Sequence, residues 1–420
     1  TDSASSFTDT TSPALASKDA QRVVGNNVSD TTDVDETGRY IVFESSATNL
    51  VTTSTTNGLT HIYRKDTLTD EVLLVSSTSG GLEANNSSAT PRISNDGRYV
   101  VFSSTATNLG SIPGNTFAQI YIKDLDDDGS VDMISRDATL TPGDGNSLNP
   151  DISGDGSTVV FDSVASNFGG STGVRRVYLV ELAAPDTIEQ ISVSTGGTEG
   201  NGNSDFPTIS DDGIRVVFES NSSNLDVIDS NTTADVYLRD RSSTGTTSLV
   251  SVDISGTTGG NAASVNAEIS GDGGFVVFES DATNLTTNSS GFTDIFMRDL
   301  TLMTTSLVNF LDTGSVLALG PSANASISID GRYVTFDSAA TNLDGGVNGF
   351  TNVFVRDNQT PDALMLVSKQ SSGALSSDSS LVPSISGDGR YVGFESAFNF
   401  DITDTNSITD VYRVLNTTYQ

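Results

Sequence analysis

Five oxygen donors alternate along residues 124–132, DLDDDGSVD: Asp124, Asp126, Asp128, the Ser130 carbonyl and Asp132. Calcium takes six to eight oxygens, and a loop offering them at its positions 1, 3, 5, 7 and 9 wraps such an ion. Gly129 falls where that loop must turn sharply, while Ser135 stands where an EF-hand carries its glutamate. Ca²⁺ is therefore the expected cofactor here, set against an unmetallated acidic turn. Three weaker constellations precede a recurrent strand: Asp229, Asn231 and Asp235; Asn288, Ser290 and Asp294; Asp404, Asn406 and Asp410. Asx turns and strand-entry hydrogen bonds account for the same residues without metal. In the other copies the last position becomes His61, Gln119, Arg176 or Asn352.

Patterns for covalent or acid–base chemistry are sparse. GGSTG at 169–173 matches G-x-S-x-G around Ser171, but that motif needs a strand-to-helix elbow and a later histidine. The single histidine, His61, comes earlier and occupies a strand-entry position. Many aspartates could meet as the paired carboxylates of glycoside hydrolysis, yet no pair is singled out. With no tryptophan in the chain, an aromatic platform for sugars would have to be Tyr or Phe. No catalytic residue is assigned from the sequence.

Composition narrows the partners. The 420 residues carry 54 acidic and 20 basic side chains, a net charge of -34. Such a surface repels nucleic acid and anionic membranes. The absence of cysteine removes disulfides and thiolate metal sites. No apolar run approaches the roughly 18 residues of a membrane span. The first residues show no basic-then-apolar leader; the expectation is a secreted or cell-surface protein, and in that case the chain is the mature form with its signal removed.

The element that positions these residues is a repeat. One phrase recurs seven times, as in SNDGRYVVFSSTATNL, with its glycine at Gly38, Gly97, Gly156, Gly213, Gly273, Gly331 and Gly389, a period of 57 to 60 residues. Phenylalanine recurs in every copy (Phe43, Phe102, Phe161, Phe218, Phe278, Phe336, Phe394), and phrases such as HIYRKD and VLLVSS follow. Each copy reads as four strands, a to d, with an Asp-Gly turn joining a to b. The b strands are apolar at consecutive positions, which means cover on both faces. Four-stranded antiparallel sheets repeated seven times predict an all-β, seven-bladed β-propeller spanning residues 1–420. The last copy has no strand d, and SPALASKDAQ near the start resembles one; residues near 13–17, Ala14 to Ser17 among them, are expected to complete the last blade and close the ring. The recurrent Asn49, Asn108, Asn167, Asn224, Asn284 and Asn342 of the ATNL phrase read as structural. Asn-x-Ser/Thr triplets at Asn27, Asn86, Asn231 and Asn416 match the glycosylation pattern in a chain where it arises readily by chance.

With S-x-D-G-x-x-hydrophobic-x-F-x-S and IY-x-x-D on the page, the chain resembles TolB-type, WD-like propeller repeats over nearly its whole length. The DxDxDGxxD stretch resembles the calcium hairpins of integrin-type propellers, and related repeats often place D-x-N-G-x-x-D before strand c. The resemblance implies the fold; function it leaves open, since such propellers host binding, scaffold and enzyme roles. The b–c and d–a loops are long and share one face, which makes that face the ligand surface. The expectation is a non-enzymatic, calcium-stabilised binding or structural module whose partner on that face is a protein, a polysaccharide or another copy of itself. The alternative is a carbohydrate-active enzyme, a polysaccharide lyase or glycoside hydrolase, working from the same face.

Overall fold

The computed structural model describes residues 12–52, 58–126, 129–242, 245–311, 316–344, 348–360 and 363–419. Among these, seven four-stranded antiparallel sheets stand in sequence, each in the order a-b-c-d. In blade 2 the strands are Ser88–Ile93, Tyr99–Ser104, Gln119–Asp124 and Val131–Met133. A two-stranded ribbon, Phe310–Leu311 with Val316–Leu317, stands between blades 5 and 6, and the one helical turn among the described residues is a 3-10 segment at Ser166–Phe168.

The consecutive apolar residues of strand b are buried on both sides of the sheet. Val100, Val101 and Phe102 are all fully enclosed, as are Ile41, Val42 and Phe43. Within each blade the phenylalanine of b meets an aromatic ring of c in register, with centroids 5.8 Å apart for Phe43 and Tyr63 and 6.0 Å for Phe102 and Tyr121. Such pairs add specificity beyond the area they bury.

The a–b connection is wider than the two-residue hairpin expected from Asp-Gly. In blade 2 the residues 94–98 form it. Ser94 Oγ donates to Asp96 and accepts from the Tyr99 amide, while Asp96 accepts from the Arg98 amide. Gly97 takes φ +74, and a Cβ there would lie 2.2 Å from Cδ2 of Tyr40 in the preceding blade. The S-x-D-G phrase is thus a side-chain-capped turn whose glycine also seats the neighbouring blade.

Ring closure forms as the sequence predicts. Ala14–Leu15 pairs antiparallel with Asp410–Leu415, placing Leu15 opposite Tyr412. Ser17 Oγ donates to Asp410 at 2.6 Å across the seam. The ATNL asparagines tie the two long loops together: Asn108 donates to the Glu83 carbonyl and accepts from the Asn85 amide, and Asn49 repeats the arrangement with Val24 and Asn26.

Candidate active site

The seven a strands line a central channel that contains a cavity of about 370 Å³. Two residues per strand shape it, the third and the fifth.

The third residue is left-handed in every blade, at Thr31, Thr90, Asn149, Phe206, Asn266, Asn324 and Val382, with φ between 44° and 52°. Each sits in a bulge where the a–b register shifts. The amide that the bulge frees is taken by an acid from strand b of the preceding blade: Thr90 donates to Glu44, Phe206 to Asp162, Asn266 to Glu219, Asn324 to Glu279, Val382 to Asp337 and Thr31 to Glu395. Burial pushes Glu44 and Glu219 up to about 7, and Asp162 and Asp337 up to about 6. These acids stitch blade to blade at the long-loop end of strand b.

The fifth residue forms the waist: Asp33, Arg92, Asp151, Thr208, Glu268, Ser326 and Ser384 in ring order. Each of Asp33, Asp151 and Glu268 accepts the amide of the next blade's sixth residue, Ile93, Ile209 and Ile327, at 2.9 Å. Glu268 uses Oε1 both for that bond and for the Ser326 hydroxyl. Arg92 interrupts the belt with a cation. Its Nε lies 3.9 Å from Asp151, and its charge also acts on Asp33 and Glu268. Burial raises all three carboxyls, Asp151 and Glu268 to about 7, while Arg92 pulls each of them back down.

At the short-loop end the seven a–b turns join in a closed backbone ring, each bonded to the next, from Glu36 through Asn95, Gly154, Asp211, Gly271, Ile329 and Gly387 back to Glu36. Asn95 donates to Asp211 at 2.9 Å over Gly154, whose added Cβ would fall 2.3 Å from that amide nitrogen. The side chains of Asp211 and Ile329 likewise fill the space over Gly271 and Gly387. This ring bounds the channel at its short-loop end.

The acidic hairpin lies elsewhere, on strands c and d of blade 2. Both Asp124 oxygens are held by the Arg98 guanidinium, at 2.8 and 2.6 Å. The same pair recurs as Arg39–Asp66, Arg215–Asp240 and Arg332–Asp357, so Asp124 is the blade 2 copy of a structural position. Asp132 pairs with Arg136 at 2.6 Å, the Ser130 carbonyl accepts the Asp124 amide, and Asp126 is exposed. Asp128 lies outside the described residues. Among the described donors, Asp124 and Asp132 thus each face an arginine. No group of three or more His, Asp or Glu side chains suited to a metal occurs among the described residues.

The weaker constellations are brought together by hydrogen bonds. Tyr237 donates to Asp229 at 2.5 Å, Asn231 to Asp235 at 2.9 Å, and Ser251 to Asp235 at 2.7 Å. In blade 7 Tyr412 donates to Asp404, and Asn406 to the Gly25 carbonyl. In blade 5 Ser290 and Asn309 serve Asp294, and Asn288 stands apart from it. The first residue of strand c is buried and bonded to the residue two places after strand d throughout these cases; His61 meets Ser76 at 3.2 Å and Gln119 accepts from Ser135 at 2.6 Å. His61 is thus remote from the channel. Ser171 donates to Glu199 in a turn that leads into strand Arg176–Glu181, with no elbow.

No known family profile matches the chain, and no curated protein matches it in sequence. Solved structures do. An oligogalacturonate lyase from Vibrio parahaemolyticus is 13% identical at TM-score 0.56, over 94% of this chain and 93% of that one. The β-propeller domain of the Trilobed protease from Pyrococcus furiosus is 12% identical at TM-score 0.55, over 94% and 95%. A puromycin-hydrolyzing peptidase from Mycobacterium tuberculosis is 14% identical at TM-score 0.55; 97% of this chain matches 54% of it, so the chain spans about half that peptidase. The likeness is one of fold, a β-propeller. It runs against the expectation of a non-enzymatic module, since the matching propellers are those of a lyase, a protease and a peptidase, and as a likeness of fold it assigns this chain no role. The waist of the channel gathers Asp33, Asp151 and Glu268 around Arg92, a grouping that the sequence did not single out. The signal was present in the fifth residue of strand a, which varies as D, R, D, T, E, S, S and so breaks the repeat where its neighbours keep it.

Proposed function

We propose that the chain is a carbohydrate-active enzyme of the glycoside hydrolase type, with its site at the waist of the channel and its substrate entering from the long-loop face. The observation that carries this reading is the convergence of Asp151, Glu268 and Asp33 on Arg92 in the channel cavity. Glycoside hydrolysis needs one carboxyl that keeps its proton and one that has lost it. Arg92, 3.9 Å from Asp151, favours the ionised form there. Burial holds both carboxyls up to about 7, and Glu268, which has no such ion pair among the described contacts, is assigned the proton donor's role.

In this scheme Glu268 gives its proton to the departing glycosidic oxygen. Asp151 accepts a proton from a water as that water attacks the sugar carbon, and the products are two sugars with the water's atoms divided between them. Asp33 sits across Arg92 and limits how fully the cation neutralises Asp151.

Arg92 also supports a second reading, a polysaccharide lyase, since a guanidinium can hold the carboxylate of a uronic acid. Three acids against one arginine make the waist net negative, which opposes an anionic sugar and favours a neutral one. Incubation with neutral and uronic oligosaccharides separates the two. Hydrolysis yields new reducing ends alone, while elimination adds an ultraviolet-absorbing unsaturated end. The hydrolase reading expects the first on a neutral glycan, lost in Glu268→Gln; release of unsaturated ends would replace it with the lyase, and inertness toward every glycan would remove both.

A further inference from the structure

Phe206 is the one aromatic residue among the described residues lining the channel, and it is 48% exposed although it lies on an innermost strand. It joins none of the packed apolar clusters among the described residues. Its backbone is left-handed at φ 48°, a conformation that asparagine tolerates and a bulky side chain adopts at a cost. Three other blades place Asn149, Asn266 and Asn324 at this position. A phenylalanine here is both strained and wet, and the packing of blade 4 uses neither property.

Its address is specific. Phe206 is the third residue of strand Ser204–Ile209, and Thr208, the fifth, stands in the waist between Asp151 of blade 3 and Glu268 of blade 5. Two residues along a strand span roughly 6–7 Å. The ring therefore stands one layer toward the long loops from the gap between the two carboxyls. A pyranose has an apolar C–H face that packs on an aromatic ring, while its hydroxyls need polar partners, which Thr208 and the waist carboxyls offer.

We propose that Phe206 is the stacking platform of a sugar subsite, holding one pyranose ring so that its glycosidic bond lies level with Asp151 and Glu268. This rests on the glycoside hydrolase reading and names its substrate class: a neutral oligosaccharide that presents a flat C–H face. A sugar with an axial substituent on that face is rejected.

The test is calorimetric titration of the full chain carrying Glu268→Gln, which prevents turnover, with cellohexaose, xylohexaose and mannohexaose as probes. Adding Phe206→Asn is expected to weaken binding about tenfold or more. The melting temperature should stay level or rise, because asparagine relieves the left-handed strain. Adding Phe206→Tyr keeps the ring and should keep affinity within about threefold. If the parent binds and Phe206→Asn binds equally well, the platform is wrong while the hydrolase reading stands. A melting temperature that drops by several degrees in Phe206→Asn assigns the ring to packing and overturns the proposal. If none of the three sugars binds the parent, the glycan reading itself fails and the platform goes with it.

Discussion

Gly97 combines φ +74 with a Cβ position 2.2 Å from the Tyr40 ring, so two separate penalties attach to any side chain there. Gly97→Ala should cost at least about 1–2 kcal/mol from the backbone alone, read as a lower urea midpoint with an unchanged slope. Asp124 illustrates the opposite risk, a structural residue that looks like a ligand. Its DxDxDG spacing was legible, but the repeated arginine after the Asp-Gly turn was the better guide to its role, since Arg98 takes both of its oxygens. With Asp124 and Asp132 each satisfied by an arginine, melts in excess EDTA and in millimolar Ca²⁺ should coincide. Separation by several degrees would reinstate calcium at the hairpin, because an ion that binds only the folded state raises its stability. Asn416, one of the glycosylation triplets, is buried and donates to the Gly389 carbonyl, which the triplet pattern alone does not reveal.

Strands b and c were legible as elements because their burial on both faces leaves an unbroken apolar run, and the closing strand was legible from its likeness to the d phrase. The bulge in every a strand was not. Thr31, Thr90, Phe206 and Val382 carry no turn signature, and only the recurring asparagines hinted at a left-handed position. The acid between Phe and Ser of strand b was the missed half of that device, since its partner amide lies in the next blade. At the seam, Ser17 supplies the hydroxyl bonded to the buried Asp410. Ser17→Ala should cost about 1–3 kcal/mol by stripping that carboxyl of a donor. The loss should appear in thermal melts and in earlier proteolysis of the N-terminal strand. A neutral result would mean that backbone pairing and Leu15 packing hold the seam without that hydroxyl.

Across the whole molecule, acids dominate both the surface and the blade contacts. Burial holds Glu44, Asp151, Glu219, Asp235, Glu268 and Asp410 up to about 7, and Asp162 and Asp337 up to about 6. In the unfolded chain the same groups lose their protons near pH 4. Between about pH 4.5 and 7 the folded state thus binds more protons than the unfolded one, and stability falls as pH rises through that window, then levels off. The carboxyls held low, such as Asp137 and Asp253 at about 2, lie at the surface and oppose this only weakly. Denaturant melts should therefore show higher stability at pH 5 than at pH 8, with the net charge of -34 adding to the difference.

The channel waist is the central claim, and the pH dependence of glycan cleavage by the wild type, Asp151→Asn and Glu268→Gln tests it most directly. The wild-type profile should be bell-shaped, with one limb from the carboxyl that must be ionised and one from the carboxyl that must keep its proton. Each substitution should lower kcat by about a hundredfold or more with the melting temperature preserved, and Glu268→Gln should lose the alkaline limb set by its proton. Cleavage that persists within about threefold of wild type in both variants, with the bell intact, would contradict the assignment and move the chemistry out of the channel.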